Sequence, residues 1–255
     1  MKSKPQDTSW ENSHQWYDSI VGEKGHYYHE SIILPKSLQL LALSKSPSPS
    51  LLDLGCGQGI LARHLPPKTA YLGVDASASL LATAKKYDKQ KEHSYLHHDL
   101  THPLQLKRTF THAACILALQ NMSDPLAAIK NAHSHLENKG KLLLVLNHPC
   151  FRIPRQSSWQ IDVPKKLQYR RIDRYASSLA IPIRTHPGME SSQETISYHL
   201  PLSAYSSFLK QAGFVIEEIE EWCSEKKSYG KQASMENRAR AEFPLFLAIH
   251  AIKMS

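Results

Sequence analysis

With 255 residues, 41% of them hydrophobic and 21% charged, the chain has the composition of an ordinary soluble globular protein and room for one α/β domain with insertions, or one domain and a small cap. Its longest apolar runs, such as Leu142 to Leu146, fall far short of the roughly 20 residues that span a bilayer, and the polar N-terminus lacks a secretory core, so a cytoplasmic protein is expected. Four scattered cysteines (Cys56, Cys115, Cys150, Cys223) form no CxxC pair and the 15 histidines no ligand cluster, which argues against a metal or a disulfide framework, while a net charge of +8 favours anionic partners without naming one.

The elements follow in chain order. Residues 1 to about 15 are polar and expected to fray. Residues 16–43 look helical in part, with an aromatic, histidine-rich loop at 22–29 between the halves. Ser44 to Ser50 is a linker by composition. Strands are then predicted at Leu51–Leu54, Ala70–Val74, Ser94–Leu96, Thr111–Leu117 and Lys141–Leu146. Helices are predicted at Ile60–Leu65, stopped by Pro66, at Ala78–Tyr87, and from Asp124-Pro125 to about Leu136. Asn138-Lys139-Gly140 reads as a turn. Strands alternating with helices imply a parallel sheet with right-handed crossovers. A helix at Leu202–Ala212, ended by Gly213, and two last strands at Phe214–Glu220 and Phe243–Ile252 complete the pattern. Residues 1–45 are therefore expected to form an N-terminal cap, and 46–255 an α/β domain interrupted by an insertion at 149–200.

Ligands of such sheets bind at the carboxyl ends of the strands. The first candidate is the loop after the first strand, where Asp53 precedes Gly55, Gly57 and Gly59. These glycines let the backbone adopt positive φ and approach a ligand closely. A dinucleotide fingerprint would need its third glycine at position 60, which is Ile60. An acid at the strand end instead suits a ligand with a positive amino group, because a pyrophosphate avoids nearby negative charge. Asp75 lies 20 residues beyond Gly55 and ends the second strand, where a carboxylate can accept two hydrogen bonds from a ribose diol. Asp99, in His98-Asp99-Leu100 beyond the third strand, can accept from an exocyclic amine. Taken singly, each has a plain structural alternative: a turn glycine or a helix-capping acid. In this order they point to a nucleoside-type ligand.

These segments resemble the class I methyltransferases that use S-adenosylmethionine (SAM). Leu51 to Gly59 is similar to their first motif, Tyr71 to Asp75 to their second-strand acid motif, and His98 to Leu100 to their adenine motif. Leu117 to Met122 resembles the fourth-strand motif near the reacting methyl, and Leu136 to Asn147 the fifth-strand segment. The resemblance covers about residues 50–147 closely and 200–252 in outline. It implies a seven-stranded, mostly parallel Rossmann-like sheet with the last strand antiparallel, flanked by helices, with an N-terminal helical cap and a substrate-side insertion. It further implies that Asp53 and the Gly55–Gly59 backbone, with Cys56, hold the methionine part of SAM. Asp75 with Ala76 would take the ribose, Asp99 with Leu100 the adenine, and Leu117 and Gln120 the region near the sulfonium.

The acceptor is less legible. Methyl transfer needs a base only where the nucleophile must lose a proton. His148, just past the fifth strand, is the first candidate, or else it caps the turn before Pro149. His29 and His26 in the N-terminal loop come next and His199 after them. With Tyr17, Tyr27 and Tyr28 that loop could cover the cofactor, or its aromatics could pack as core. Between Arg152 and Arg184 eight basic residues face only Asp162 and Asp173. The segment is too long for a routine connection. It reads as a lid whose Arg152 and Arg155 meet an anionic or aromatic acceptor, or as a solvated helical face. The stretch 224–240 reads as a surface helix. A small-molecule O or N acceptor is the expected substrate. RNA methylation is the alternative suggested by charge, and a non-catalytic SAM-binding scaffold the third.

Overall fold

A computed structural model describes residues 10–11, 21–22, 25–184 and 194–254; residues 1–9, Tyr17 and 185–193, which figure in the expectations above, lie outside these. Seven strands form the main sheet: β1 (Ser50–Leu54), β2 (Ala70–Asp75), β3 (His93–His97), β4 (Phe110–Ile116), β5 (Leu136–Asn147), β10 (Phe214–Trp222) and β11 (Phe246–Lys253). Their order is β10-β11-β5-β4-β1-β2-β3. Neighbours among β1 to β5 pair in parallel, and β11 lies antiparallel to both β5 and β10. The Rossmann-like sheet, with its final antiparallel strand, is the one the motifs imply.

The alternation of the central strands explains the layers. In β5, Leu142, Leu144 and Leu146 join one buried cluster while Leu143 and Val145 join the other. Both faces are covered, so the strand reads as a continuous apolar run. Helices α3 (Pro125–His135) and α4 (Leu202–Gln211) cover the first face, and α1 (Leu34–Leu41) packs on the second. Helix α2 (Ala78–Tyr87) starts at Ser77, whose hydroxyl accepts from the Leu80 N–H, and α3 starts at Asp124, whose carboxylate accepts from the Ala127 N–H with Pro125 following. Fully burying each of Leu51, Leu52 and Leu54 contributes about 1.5–3 kcal/mol to the core beneath the site.

Four expectations need correction. Residues 60–65 hold only a single 3-10 turn at Ala62–His64, because Leu65 is already extended ahead of Pro66. Strand β5 begins at Leu136, and the expected turn at 138–140 is a bulge inside it, with Lys139 at φ 62°. The supposed loop at 22–29 ends early: the chain is helical from Tyr27 through a π turn at His29–Ile33 into α1. Finally, the insertion is no helical face. It folds as two antiparallel hairpins, β6 (Ser157–Asp162) with β7 (Leu167–Ile172) and β8 (Leu179–Arg184) with β9 (Glu194–His199). Helix α5 (Ala233–Glu242) occupies part of the stretch expected to be a surface helix. Among the described residues no helix is long and apolar enough to cross a membrane, and no group of three or more His, Cys, Asp or Glu side chains is arranged to hold a metal.

Candidate cofactor and acceptor site

The sheet reverses direction of progression between β1 and β4, which is where an open α/β sheet leaves a crevice. Two loops meet there. Gly55 has φ 77°, and a Cβ on it would lie 2.4 Å from the Cβ of Ala118, so only glycine lets the loop after β1 pass the loop after β4. Gly57 has φ 53° with open space where a Cβ would stand. Gly59 differs: its hydrogen side faces Tyr95 and Ala84, so it lets α2 and β3 pack closely and does not line the crevice.

Two adjoining cavities open at this point, of about 390 and 680 Å³, and share Trp10, Gly55, Asp75, Ala118 and Asn121. Asp53, Cys56, Gly57, Leu117 and Gln120 border the first; Ala76, Asp99 and Leu100 border the second. The three aspartates therefore border two adjoining cavities that share Asp75. Asp53 is buried and accepts a 2.8 Å bond from the Tyr71 hydroxyl. Burial pushes its carboxyl up to about 7, against the pull of that hydroxyl. Asp75 closes the loop on itself: one oxygen accepts from the Gly57 N–H and the other from the Ser77 N–H, each at 2.8 Å. Burial raises its carboxyl, and those two amides oppose the rise. Each oxygen keeps a second lone pair for a ligand. Asp99 is exposed; partial burial raises its carboxyl, but the Thr101 N–H and hydroxyl, with His102 and His98, together outweigh it and hold it below the usual carboxylate range.

Gln120 supplies the fit test. Its amide nitrogen donates to the Leu117 carbonyl at 2.9 Å, while its buried Oε1 has no hydrogen-bond partner among the described residues. A buried acceptor left without a donor costs about 1–3 kcal/mol. A cationic amino group entering the first cavity would satisfy it and would meet Asp53 in the same cavity. Together with the open face at Gly57, the donor and acceptor set fits SAM.

The base candidates fare differently. His148 borders neither cavity. It is buried in the turn after β5, where its Nε2 meets the Glu221 carboxylate at 2.7 Å and its Nδ1 accepts from the Cys150 N–H. Both nitrogens are engaged, so the turn-capping alternative describes it. His199 likewise bonds the Tyr175 carbonyl. His26 and His29 do line the first cavity. The His26 ring accepts from the His29 N–H while the His29 ring accepts from the His26 N–H, a reciprocal capping box at the start of the helix at Tyr27. Burial and the neighbouring His26 lower His29 to about 3, so it is neutral; with Nδ1 accepting, the proton sits on Nε2. It presents a donor, not a base.

On the acceptor side, Tyr28 and Arg152 line the cavity and Arg155 does not. The hydroxyl of Tyr28 lies 3.3 Å from Ser224 Oγ, its ring packs edge-on against Phe246, and Lys226 sits 4.9 Å above it. The second hairpin supplies Ile183 and Ser197 to the wall, whereas the first packs Trp159 against Phe243 away from it. Sequence reasoning missed Trp10, Glu11, Asn147 and Phe246, while Asn121 falls among the neighbours of Gln120 in the fourth-strand motif. Glu11 reaches the cofactor side through Ser77 and Ser79. No local pattern around residue 10 signals this, but the position of Asn147 and Phe246 at the carboxyl end of β5 and beside it on β11 could have been read from topology.

A Rossmann-like sheet with an acid-led glycine loop, a second-strand acid and an adenine-side acid around one groove defines a class I SAM-dependent methyltransferase. A family profile for the methyltransferase domain matches residues 25–219, and the chain belongs to that family. Among curated proteins it is similar to the dTDP-3-amino-3,6-dideoxy-alpha-D-glucopyranose N,N-dimethyltransferase of Streptomyces fradiae, 29% identical over 136 residues, 50% of each chain. It is also similar to the demethylmenaquinone methyltransferase of Chlamydia pneumoniae, 30% identical over 141 residues, 53% of this chain and 57% of the relative. The chain thus spans about half the length of the curated relatives it matches. The crystal structure of a SAM-dependent methyltransferase from Mesorhizobium loti shares the fold, with a TM-score of 0.67 at 23% identity over 88% of this chain and 99% of that one.

Proposed function

We propose that this chain transfers a methyl group from SAM to an O or N atom of a small anionic or aromatic molecule. The observation that carries the reading is the shared groove: Asp53, Asp75 and Asp99 border it on the cofactor side, and Tyr28 and Arg152 on the other. Both curated relatives described above carry small-molecule acceptors in their names.

When bound, SAM supplies a methyl carbon activated by a sulfonium. Asp53 and Gln120 would accept hydrogen bonds from its amino group, Asp75 from the ribose and Asp99 from the adenine amine. Ala76, Leu100 and Leu117 would form the neighbouring walls. The chain adds alignment, which can contribute roughly 7–11 kcal/mol when reacting groups are held in line. Trp10, Tyr28 and the β8–β9 hairpin exclude water, and His29 orients the acceptor through its Nε2–H. The test is incubation with methyl-labelled SAM and separate pools of cell metabolites, RNA and protein. Label in the metabolite pool is expected. Label in RNA alone would favour the nucleic-acid alternative, and label nowhere the scaffold.

A further inference from the structure

Arg152 is a cation in a wall with little to hold it. Its guanidinium stacks on Phe246 at 5.3 Å and donates once, from Nη1 to the Leu245 carbonyl at a long 3.4 Å. Among the described residues no carboxylate forms an ion pair with it, while Arg171, Arg184 and Arg240 pair with Asp173, Glu194 and Glu236. Burial lowers its affinity for the proton, Tyr28 opposes that, and Arg170 adds a lesser lowering. A guanidinium offers five N–H donors in a rigid fork, and the bond to Leu245 uses one of them. Arg152 lines the cavity, and the rest of its fork bonds no protein acceptor among the described residues.

We propose that Arg152 anchors a single carboxylate on the methyl acceptor, whose flat apolar body lies against Phe246 and Tyr28. The proposal rests on this cavity being the methyl-transfer site. A carboxylate matches the planar fork with two parallel hydrogen bonds. A phosphate dianion is a poorer occupant, because among the described lining residues Arg152 is the one Arg or Lys, while Asp53 and Asp75 border the same cavity. Beside Arg152 the wall is mostly apolar, with Phe246, Pro154 and Ile183, and its polar members Ser197 and Asn147 are uncharged.

The test uses the full chain saturated with S-adenosylhomocysteine (SAH), with SAH binding measured first by calorimetry. Benzoate, benzamide and inorganic phosphate are then titrated separately. Benzoate should bind about tenfold or more tightly than benzamide, and also more tightly than phosphate. Arg152→Gln should erase the preference for benzoate over benzamide and leave SAH affinity within about twofold. Should that variant fail to fold, Arg152→Lys replaces it, with the preference cut severalfold because an ammonium lacks the fork. Equal binding of benzoate and benzamide, tighter binding of phosphate, or an unchanged preference in the variant overturns the proposal. Failure of SAH to bind would count against the cofactor reading instead, and the benzoate preference on the cofactor-free protein would still decide the anchor.

Discussion

The contact proposed between Asp53 and the cofactor's amino group makes binding depend on pH in a way that can be worked from the surroundings of Asp53. Its carboxyl sits at about 7 in the free protein because it is buried beside Asp75 with only the Tyr71 hydroxyl in compensation. An ammonium ligand needs the ionised form, so binding must expel the proton wherever the free protein holds it. With half-ionisation near 7, the ionised fraction falls from about one half at pH 7 to about 3% at pH 5.5. That is a sixteenfold drop in affinity, or about 1.6 kcal/mol. The assay is calorimetry of SAH binding between pH 5.5 and 7, repeated in buffers of different ionisation enthalpy, with circular dichroism to confirm folding. Proton release of about one half per SAH is expected at pH 7. Asp53→Asn should bind more weakly at pH 7 and lose most of the slope. An affinity flat across this window, or a slope that survives Asp53→Asn, would refute the reasoning. The same raised carboxyl has a stability consequence of opposite sense. The folded state holds the proton more tightly than the unfolded chain, so its contribution is full below about 4 and is lost as pH rises through 7. Asp53→Asn should therefore raise the melting temperature of the cofactor-free protein at pH 8.

Other outcomes follow from the same geometry. Gly55→Ala should destabilise the protein by about 1–3 kcal/mol and weaken SAH binding, since the new methyl meets Ala118 at a positive φ; denaturant melts and calorimetry check both. His29 has a depressed folded-state value, so its contribution is full above 6.5 and is lost as pH falls towards 3. Urea melts at pH 7.5 and 5 should show a stability loss in the wild type that shrinks in His29→Gln. His148→Gln should cost stability, by loosening the Glu221 contact, yet leave methyl transfer per folded molecule within about threefold, read as turnover corrected for folded fraction. A loss of two orders of magnitude in turnover would return His148 to the list of bases.

The grouping of the candidate cofactor residues was legible because each lies in a local motif. Asp53 to Gly59, Asp75 and Asp99 each sit at a strand end, and the apolar runs between them set the strand order that brings them together. The glycines were only partly legible: Gly55 and Gly57 border the groove, but whether Gly59 served a ligand or a packing contact depended on Tyr95, 36 residues away. The insertion misled because its charges dominate its composition. The alternation in Ser157–Asp162 and Leu167–Ile172, broken by Val163-Pro164-Lys165-Lys166, carries a hairpin signal in plain view. His148 could not be assigned from sequence, since its partner Glu221 lies on β10, 73 residues on. The acceptor wall was least legible for the same reason. Trp10, Tyr28, Arg152, Ser197 and Phe246 meet only after the sheet, the hairpins and the N-terminal helix have packed.

Titrating SAH into the wild-type chain and into Asp75→Ala by calorimetry tests the shared groove most directly. The expected result is one site per chain in the wild type and an affinity at least about tenfold lower in the variant, whose missing carboxylate removes both the proposed ribose acceptor and the tie to the Gly57 amide. Undiminished affinity in Asp75→Ala, or no heat of binding in the wild type, would contradict it.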